Sequence, residues 1–166
     1  MIANSALKSS VHELVKKLSE QLLNKGYRLA TAESCTGGGI AAHCTDLAGS
    51  SAWFEGAIVS YSNAMKMNLL GVSANILEEH GAVSKECAAA MVSGLCSRLH
   101  TEVGISVTGV AGPSGGSKEK PVGMVCFGFA VDNKTWTDIQ YFSGDRAQVR
   151  AQSVHHALTK LIEYLE

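Results

Sequence analysis

Two patterns of apolar residues recur along the chain, continuous short runs and a helical spacing. The short apolar or β-branched runs, bounded by glycines and polar clusters, predict strands. These runs cover residues 27–32, 52–61, 103–108, 122–131 and 135–142. Only Asp132-Asn133-Lys134 separates the last two runs, which therefore predict a β-hairpin.

Apolar residues that recur three and four positions apart predict helices between these strands. Apolar residues between Val11 and Leu23 follow this spacing and predict a first helix, capped by Asn4 or Ser5 and ending near Gly26. Side chains that can cap a helix precede most of the later helical stretches. The predicted caps are Asn63 or Ser62, then Ser84, then Asp145 or Ser143, and further helices are predicted at residues 40–47 and 75–80.

The alternation of strands and helices predicts an α/β fold, a three-layer α/β/α sandwich with a mixed, mostly parallel sheet. The hairpin supplies its antiparallel member. A chain of 166 residues suits a single domain covering residues 1–166. Ligands bind at the carboxyl ends of the strands in such sheets. The loops after Ala32 and after Thr108 lie at such ends, so we expect both to face one crevice.

Composition excludes several classes of protein. The net charge is -1, and the one dense basic run, Lys118-Glu119-Lys120, contains its own acid, so we expect no nucleic-acid or membrane partner. The 5 cysteines are odd in number and never spaced Cys-x-x-Cys, so neither a disulfide framework nor a zinc site is indicated. With no signal-peptide pattern and no long apolar span, we expect a cytoplasmic protein.

Two glycine-rich segments are candidate binding loops. The turn Glu33-Ser34-Cys35-Thr36-Gly37-Gly38 joins a strand to a helix, and its backbone N–H groups could bind a phosphate or an oxyanion. Equally, Ser34 or Thr36 could simply cap the helix. The loop Thr108–Ser117, with Gly109 and Gly112, could offer further N–H donors, or could be a mobile surface loop.

Two serines and one lysine are candidates for the chemistry. Ser51 and Ser34 both stand in turns where serine is common, so either could be structural. A buried lysine can activate a serine, because a desolvated amine loses its proton and can accept one. Lys66 lies five positions after Tyr61, and the alternative is an exposed charge on a short helix. Arg146 could bind a phosphate, or pair with Asp145 or Glu33.

These segments together resemble the CinA C-terminal family. The resemblance runs from about Tyr27 to Gln152. It is carried by Ala32–Gly38, Ala48–Phe54, Tyr61-Ser62-Asn63 with Lys66, Gly81–Ser84, Thr108-Gly109 with Ala111-Gly112-Pro113, Lys120–Gly123 and Phe142–Arg146. Family members that are active hydrolyse the carboxamide of nicotinamide mononucleotide, giving nicotinic acid mononucleotide and ammonia in pyridine nucleotide recycling.

The resemblance implies site residues, no metal and no organic cofactor. Ser34, Ser51, Tyr61, Lys66, Thr108 and Arg146 match the polar residues that the family keeps around its pocket. The working hypothesis takes Ser51 as the nucleophile, Lys66 as its base and Tyr61 as the group that relays or orients the proton. Ser34 is the alternative nucleophile, and direct attack by water is a second route.

The substrate is expected to contact the two glycine-rich loops. Arg146, with hydroxyls and backbone amides, would bind its phosphate, and an aromatic side chain or a carboxylate such as Glu33 would face its pyridinium ring. The remaining expected binding residues are Thr36, Gly37, Thr108, Gly109 and Gly112. A homo-oligomer is expected from the resemblance. Ser114 stands where close relatives often carry Asp, which leaves open an inactive nucleotide-binding or regulatory paralogue.

Overall fold

The structure, a computed structural model, describes the backbone of residues 2–166 and the side chains from residue 10 onward. The strands are β1 (Leu29–Glu33), β2 (Phe54–Val59), β3 (Val103–Gly109), β4 (Met124–Val131) and β5 (Lys134–Tyr141). The helices are α1 (Ile2–Lys25), α2 (Gly39–Thr45), α3 (Asn63–Leu70), α4 (Ala74–His80), α5 (Lys85–Leu99) and α6 (Arg146–Leu165), with a 3-10 turn at Ser50–Ala52.

The strands form one mixed sheet in the order β2-β1-β3-β4-β5. Strand β1 pairs in parallel with β2 and β3, whereas β4 is antiparallel to both β3 and β5. All strands except β4 therefore point in the same direction. The predicted mixed, mostly parallel sheet with one antiparallel member from the hairpin is confirmed.

Helices cover both faces of the sheet, as predicted for a three-layer sandwich. Alternate residues of a strand point to opposite faces, and in β4 Phe127 packs toward α1, α2 and α6 while Cys126 packs toward α5. Helix α5 approaches the sheet closely, because a Cβ on Gly128 would lie 2.5 Å from the Ala88 carbonyl oxygen. Within the described residues no helix is long and apolar enough to span a membrane.

The helix caps choose between the alternatives that the sequence left open. Ser62 caps α3 and Ser84 caps α5, each through its side-chain oxygen. Asp145 caps α6 and forms a capping box with Gln148, so the alternative Ser143 is wrong. Helix α1 begins at Ile2, earlier than the predicted cap at Asn4 or Ser5.

Strand β2 is shorter than the predicted run of residues 52–61. The 3-10 turn at Ser50–Ala52 and the buried Trp53 occupy its first positions, and Leu29 pairs with Phe54 at its beginning. At its other end Val59 pairs with Glu33. These two ends of β2 decide where the candidate catalytic residues lie.

Candidate functional site

A cavity of about 250 Å³ lies where the three parallel strands β1, β2 and β3 end. This is the edge at which α/β sheets bind ligands. The loops after β1 and β3 both reach it, as the sequence predicted. The predicted site residues that line the cavity are Ser34, Tyr61, Lys66, Thr108, Gly109 and Arg146.

Ser34 and Lys66 are in direct contact inside this cavity. The Lys66 Nζ lies 3.2 Å from the Ser34 Oγ. The same nitrogen donates hydrogen bonds to the carbonyl oxygens of Ser60 at 3.0 Å and Tyr61 at 3.1 Å. When the amine is neutral, these two carbonyls can take its two N–H groups. Its lone pair can then accept the proton of the Ser34 hydroxyl, which in the structure donates a long hydrogen bond of 3.4 Å to the Tyr61 carbonyl.

The surroundings of Lys66 favour the neutral amine. The side chain is only 1% exposed, and each of its hydrogen-bond partners is an uncharged oxygen. Burial without a carboxylate partner disfavours the charged form. It lowers the pKa of Lys66 below its ordinary value. Lys66 is therefore better suited than an exposed lysine to accept the proton of Ser34.

A second nucleophile in the cavity, the Cys35 thiol, has the opposite character. Cys35 follows Ser34 directly and lines the same cavity. Burial raises the pKa of this thiol to about 12. Because the thiolate is the nucleophilic form of cysteine, burial disfavours Cys35 as the nucleophile. Ser34, whose hydroxyl contacts the Lys66 amine, is better placed for that role.

Arg146, at the start of α6, closes one side of the cavity. Its Nη1 donates a hydrogen bond to the Gly112 carbonyl at 2.9 Å, and its Nη2 lies 3.3 Å from the Tyr61 hydroxyl. Neither Asp145 nor Glu33 pairs with it, so the alternative of a surface ion pair is wrong. The Tyr61 hydroxyl therefore faces Arg146, whereas it is the Tyr61 carbonyl that contacts Lys66.

The end of β3 and the loop after it form another part of the cavity wall. The Thr108 hydroxyl donates a hydrogen bond to the Ala82 carbonyl at 2.8 Å, which ties the end of β3 to the segment before α5. Gly109 lines the cavity. Gly112 contributes through its carbonyl to Arg146 rather than by lining the cavity.

The expectation that Glu33, Thr36 and Gly37 contact substrate is not matched by their positions. Glu33 and Thr36 are fully buried, and none of the three lines the cavity. The Glu33 carboxylate itself accepts the N–H groups of Ile40 and Ala41 at the start of α2. The predicted anion site at this helix N-terminus is therefore filled by the chain's own carboxylate.

The structure does not bring Ser51 and Lys66 together within a single chain. Ser51 lies in the 3-10 turn before β2, and Arg28, just before β1, donates a hydrogen bond to its carbonyl. Lys66 lies beyond the other end of β2. The whole strand separates the two residues, which therefore lie at opposite ends of the parallel strands. Trp53, also before β2, lies in the core and not beside the cavity.

Several lining residues were not predicted to contact the substrate, although all of them lie in segments that carry the resemblance. They are Cys35, Asn63, Ala82, Val83 and Ala111. Asn63 follows the Tyr61-Ser62 pair, so its neighbours gave a signal. Ala82 and Val83 have apolar side chains that the sequence could not distinguish from core residues. In the part of the chain that the structure describes, no group of three or more histidine, cysteine, aspartate or glutamate residues is placed to hold a metal ion.

The fold and the site define a class: an α/β protein with a serine and a buried lysine in contact at the carboxyl ends of parallel strands. Residues 11–165 match the family described as CinA C-terminal domain. The chain belongs to this family.

Individual relatives agree with the family match. Nicotinamide-nucleotide amidohydrolase PncC of Enterobacter agglomerans is 49% identical over 158 residues, covering 94% of this chain and 96% of that protein. A putative competence-damage inducible protein of Halothermothrix orenii is 46% identical over 92% of this chain, which spans only 37% of that longer protein. The crystal structure of competence damage-inducible protein A from Klebsiella pneumoniae superposes with a TM-score of 0.91 at 39% identity, covering 93% of this chain and 96% of that one.

Proposed function

We propose that this chain hydrolyses the carboxamide of nicotinamide mononucleotide to nicotinic acid mononucleotide and ammonia. The observation that carries the proposal is the contact of 3.2 Å between the Ser34 hydroxyl and the buried Lys66 amine. A serine with a lysine base is a known arrangement for acyl transfer from an amide. The relative from Enterobacter agglomerans, a nicotinamide-nucleotide amidohydrolase, matches 94% of the chain.

The charges around the cavity support a substrate with an anionic group. Among the described residues that line the cavity, Arg146 is the one side chain that carries a permanent charge, and that charge is positive. Arginine binds phosphate through paired N–H groups. Arg146 would therefore hold the substrate phosphate at the cavity wall and leave the carboxamide within reach of Ser34.

The reaction proceeds through an acyl-enzyme. The Ser34 Oγ attacks the carboxamide carbon, and Lys66 takes the hydroxyl proton. The tetrahedral intermediate collapses as Lys66 returns that proton to the amide nitrogen, so the C–N bond breaks and ammonia leaves. Water then attacks the ester with Lys66 again accepting a proton, the ester bond breaks, and Ser34 is reprotonated.

The developing oxyanion needs hydrogen-bond donors. Backbone N–H groups of the turn beside Ser34, or of the loop after Thr108, are the candidates. Loss of one such donor typically costs about 3 kcal/mol of transition-state stabilisation. Direct attack by water, with Lys66 as its base, would use the same cavity, and it differs from the acyl-enzyme route in leaving Ser34 unmodified.

The test is ammonia release by the purified protein from nicotinamide mononucleotide, with nicotinamide riboside and nicotinamide measured alongside. We expect turnover of the mononucleotide and little turnover of the two compounds that lack a phosphate. Binding of the mononucleotide without ammonia release would contradict the proposed activity.

The oligomeric state, the cellular location and the kind of partner are also proposed. The exposed apolar side chains Met65 and Leu69, neighbours one turn apart on α3, support a homo-oligomer, because adjoining exposed apolar side chains often mark an interface. Free thiols at the described cysteines support action in the reducing cytoplasm. The net charge of -1 supports a small-molecule rather than a nucleic-acid partner. Sedimentation of the purified protein would test the oligomer.

A further inference from the structure

The turn that carries Ser34, residues 33–38 between β1 and α2, is held by two charged side chains that do not line the cavity. Glu33 precedes Ser34 and lies beneath the turn. Arg150, on α6, lies outside it. Neither has a role in the chemistry described above.

Glu33 holds the turn from the protein interior. Its side chain is 0% exposed. Its Oε1 accepts hydrogen bonds from the Thr36 Oγ1 at 2.8 Å and from the Ile40 N–H at 2.9 Å. Its Oε2 accepts hydrogen bonds from the Thr31 Oγ1 at 2.9 Å and from the Ala41 N–H at 3.0 Å. The carboxylate therefore joins β1, the turn and the first residues of α2.

Arg150 holds the same turn from the solvent side. Its Nε donates a hydrogen bond to the Cys35 carbonyl at 3.2 Å, and its Nη2 donates one to the Thr36 carbonyl at 3.0 Å. The side chain reaches the turn from α6, a turn of helix beyond Arg146. Two peptide groups directly after Ser34 are thus fixed by a guanidinium group.

The placement of Ser34 depends on this arrangement. Ser34 stands between Glu33 and the peptide groups that Arg150 binds, so its backbone cannot shift without breaking these hydrogen bonds. Catalysis is sensitive to such shifts, and a displacement of about 1 Å can cost on the order of 100-fold in rate.

We propose that Glu33 and Arg150 are positioning residues that hold the Ser34 hydroxyl against the Lys66 amine. This inference rests on the proposed function, in which Ser34 is the nucleophile. Because neither side chain lines the cavity, their loss lowers kcat and leaves KM nearly unchanged. The pH at which activity appears, which Lys66 sets, also stays unchanged.

The first test replaces Arg150, whose exposed side chain can be changed without opening the core. We expect Arg150→Gln to lower kcat at least about tenfold with KM within about twofold, and Arg150→Lys to recover part of the loss. Arg28→Gln is the matched control, because Arg28 also binds backbone carbonyls, those of Ser51, Ala52 and Phe54, but at the opposite edge of the sheet. It should leave kcat unchanged.

The second test addresses the Glu33 side. Glu33→Gln would place an amide N–H₂ group against backbone donors and could prevent folding, so Thr36 is changed instead. Thr36→Val keeps the shape and removes the hydroxyl that donates to Glu33. We expect it to lower kcat at an unchanged KM, whereas Thr36→Ser should retain kcat.

A readout without nucleotide separates failure of this inference from failure of the proposed function. The rate at which a small sulfonyl fluoride modifies Ser34, followed by intact mass, reports the serine–lysine contact whatever the substrate is. The inference predicts slower modification in Arg150→Gln and Thr36→Val. Folded Arg150→Gln and Thr36→Val proteins with wild-type modification rates would overturn it.

Discussion

The Lys66 Nζ lies 3.2 Å from the Ser34 Oγ, although 32 positions separate the two residues in the chain. Parallel pairing of β1 with β2 produces this contact, because Glu33 pairs with Val59 and both strands end at the same edge. Ser34 follows the first strand directly, and α3 brings Lys66 back to the end of the second. The site is therefore a consequence of strand register.

The first prediction separates the two candidate serines. Ser34→Ala should lower kcat/KM for nicotinamide mononucleotide by at least about 1000-fold, because it removes the nucleophile. Ser51→Ala should remain within about threefold of wild type, because Ser51 lies at the other edge of the sheet. Steady-state ammonia release measures both. Loss of activity in Ser51→Ala would place that serine in the site of a second copy.

The second prediction concerns pH. Because the neutral amine of Lys66 is the active form, kcat/KM should rise with pH through the pKa of Lys66 and then level off. Because burial lowers the pKa of Lys66, kcat/KM should rise at a pH below about 10.4, the ordinary pKa of lysine. Lys66→Arg, which stays protonated, should lower kcat by about 100- to 10000-fold. A flat profile between neutral and alkaline pH would argue against Lys66 as the base.

The third prediction assigns Arg146 to the phosphate. Arg146→Gln should lower kcat/KM for nicotinamide mononucleotide by about 10- to 100-fold, the value of one charge-assisted hydrogen bond. It should affect nicotinamide riboside much less, so the preference for the phosphorylated substrate should shrink. If both substrates lose the same factor, Arg146 does not bind the phosphate.

The fourth prediction concerns stability far from the site. The Asp138 carboxylate contacts His156 at 2.6 Å and Gln140 at 3.0 Å. Burial alone would raise the pKa of Asp138, but these hydrogen bonds outweigh it and hold the pKa below its ordinary value. The ionised Asp138 carboxylate therefore stabilises the folded protein. This stabilisation is complete above about pH 3.9, the ordinary pKa of aspartate, and is lost as the pH falls through the lower pKa of the folded state.

Asp138→Asn should therefore reduce the free energy of unfolding by about 1 kcal/mol at pH 7, and by less in acid. Urea unfolding at both pH values measures the difference. Asp46→Asn, a change at an exposed aspartate at the end of α2, is the control. An equal loss at both pH values would mean that the charge of Asp138 is not responsible.

Much of the fold follows from local patterns in the sequence. The runs and spacings of apolar residues predicted the strands and helices of the three-layer sandwich. The hairpin around Asp132-Asn133-Lys134 predicted the antiparallel strand. Exact caps were harder, because Asn63 and Ser62, or Asp145 and Ser143, satisfy the same rule. Which one caps depends on where the chain leaves its helical dihedral angles, and this is set by packing.

The separation of Ser51 from Lys66 within one chain could have been predicted from the sequence. The predicted strand at residues 52–61 already placed Ser51 before a strand and Lys66 after it. A strand spans about 3.3 Å per residue, so the two side chains could not meet. The role of Glu33 was harder to predict. Its neighbours did form an anion site, but only the structure shows that the Glu33 carboxylate turns inward and fills it.

The central claim is that Ser34 carries the acyl group during turnover. Rapid acid quenching of the enzyme during turnover of nicotinamide mononucleotide, followed by peptide mass spectrometry, tests it directly. We predict an ester of the nicotinoyl nucleotide on the peptide that contains Ser34, absent from Ser34→Ala and converted to a hydroxamate by added hydroxylamine. Full turnover with no adduct and no hydroxamate, or an adduct on Ser51, would contradict it.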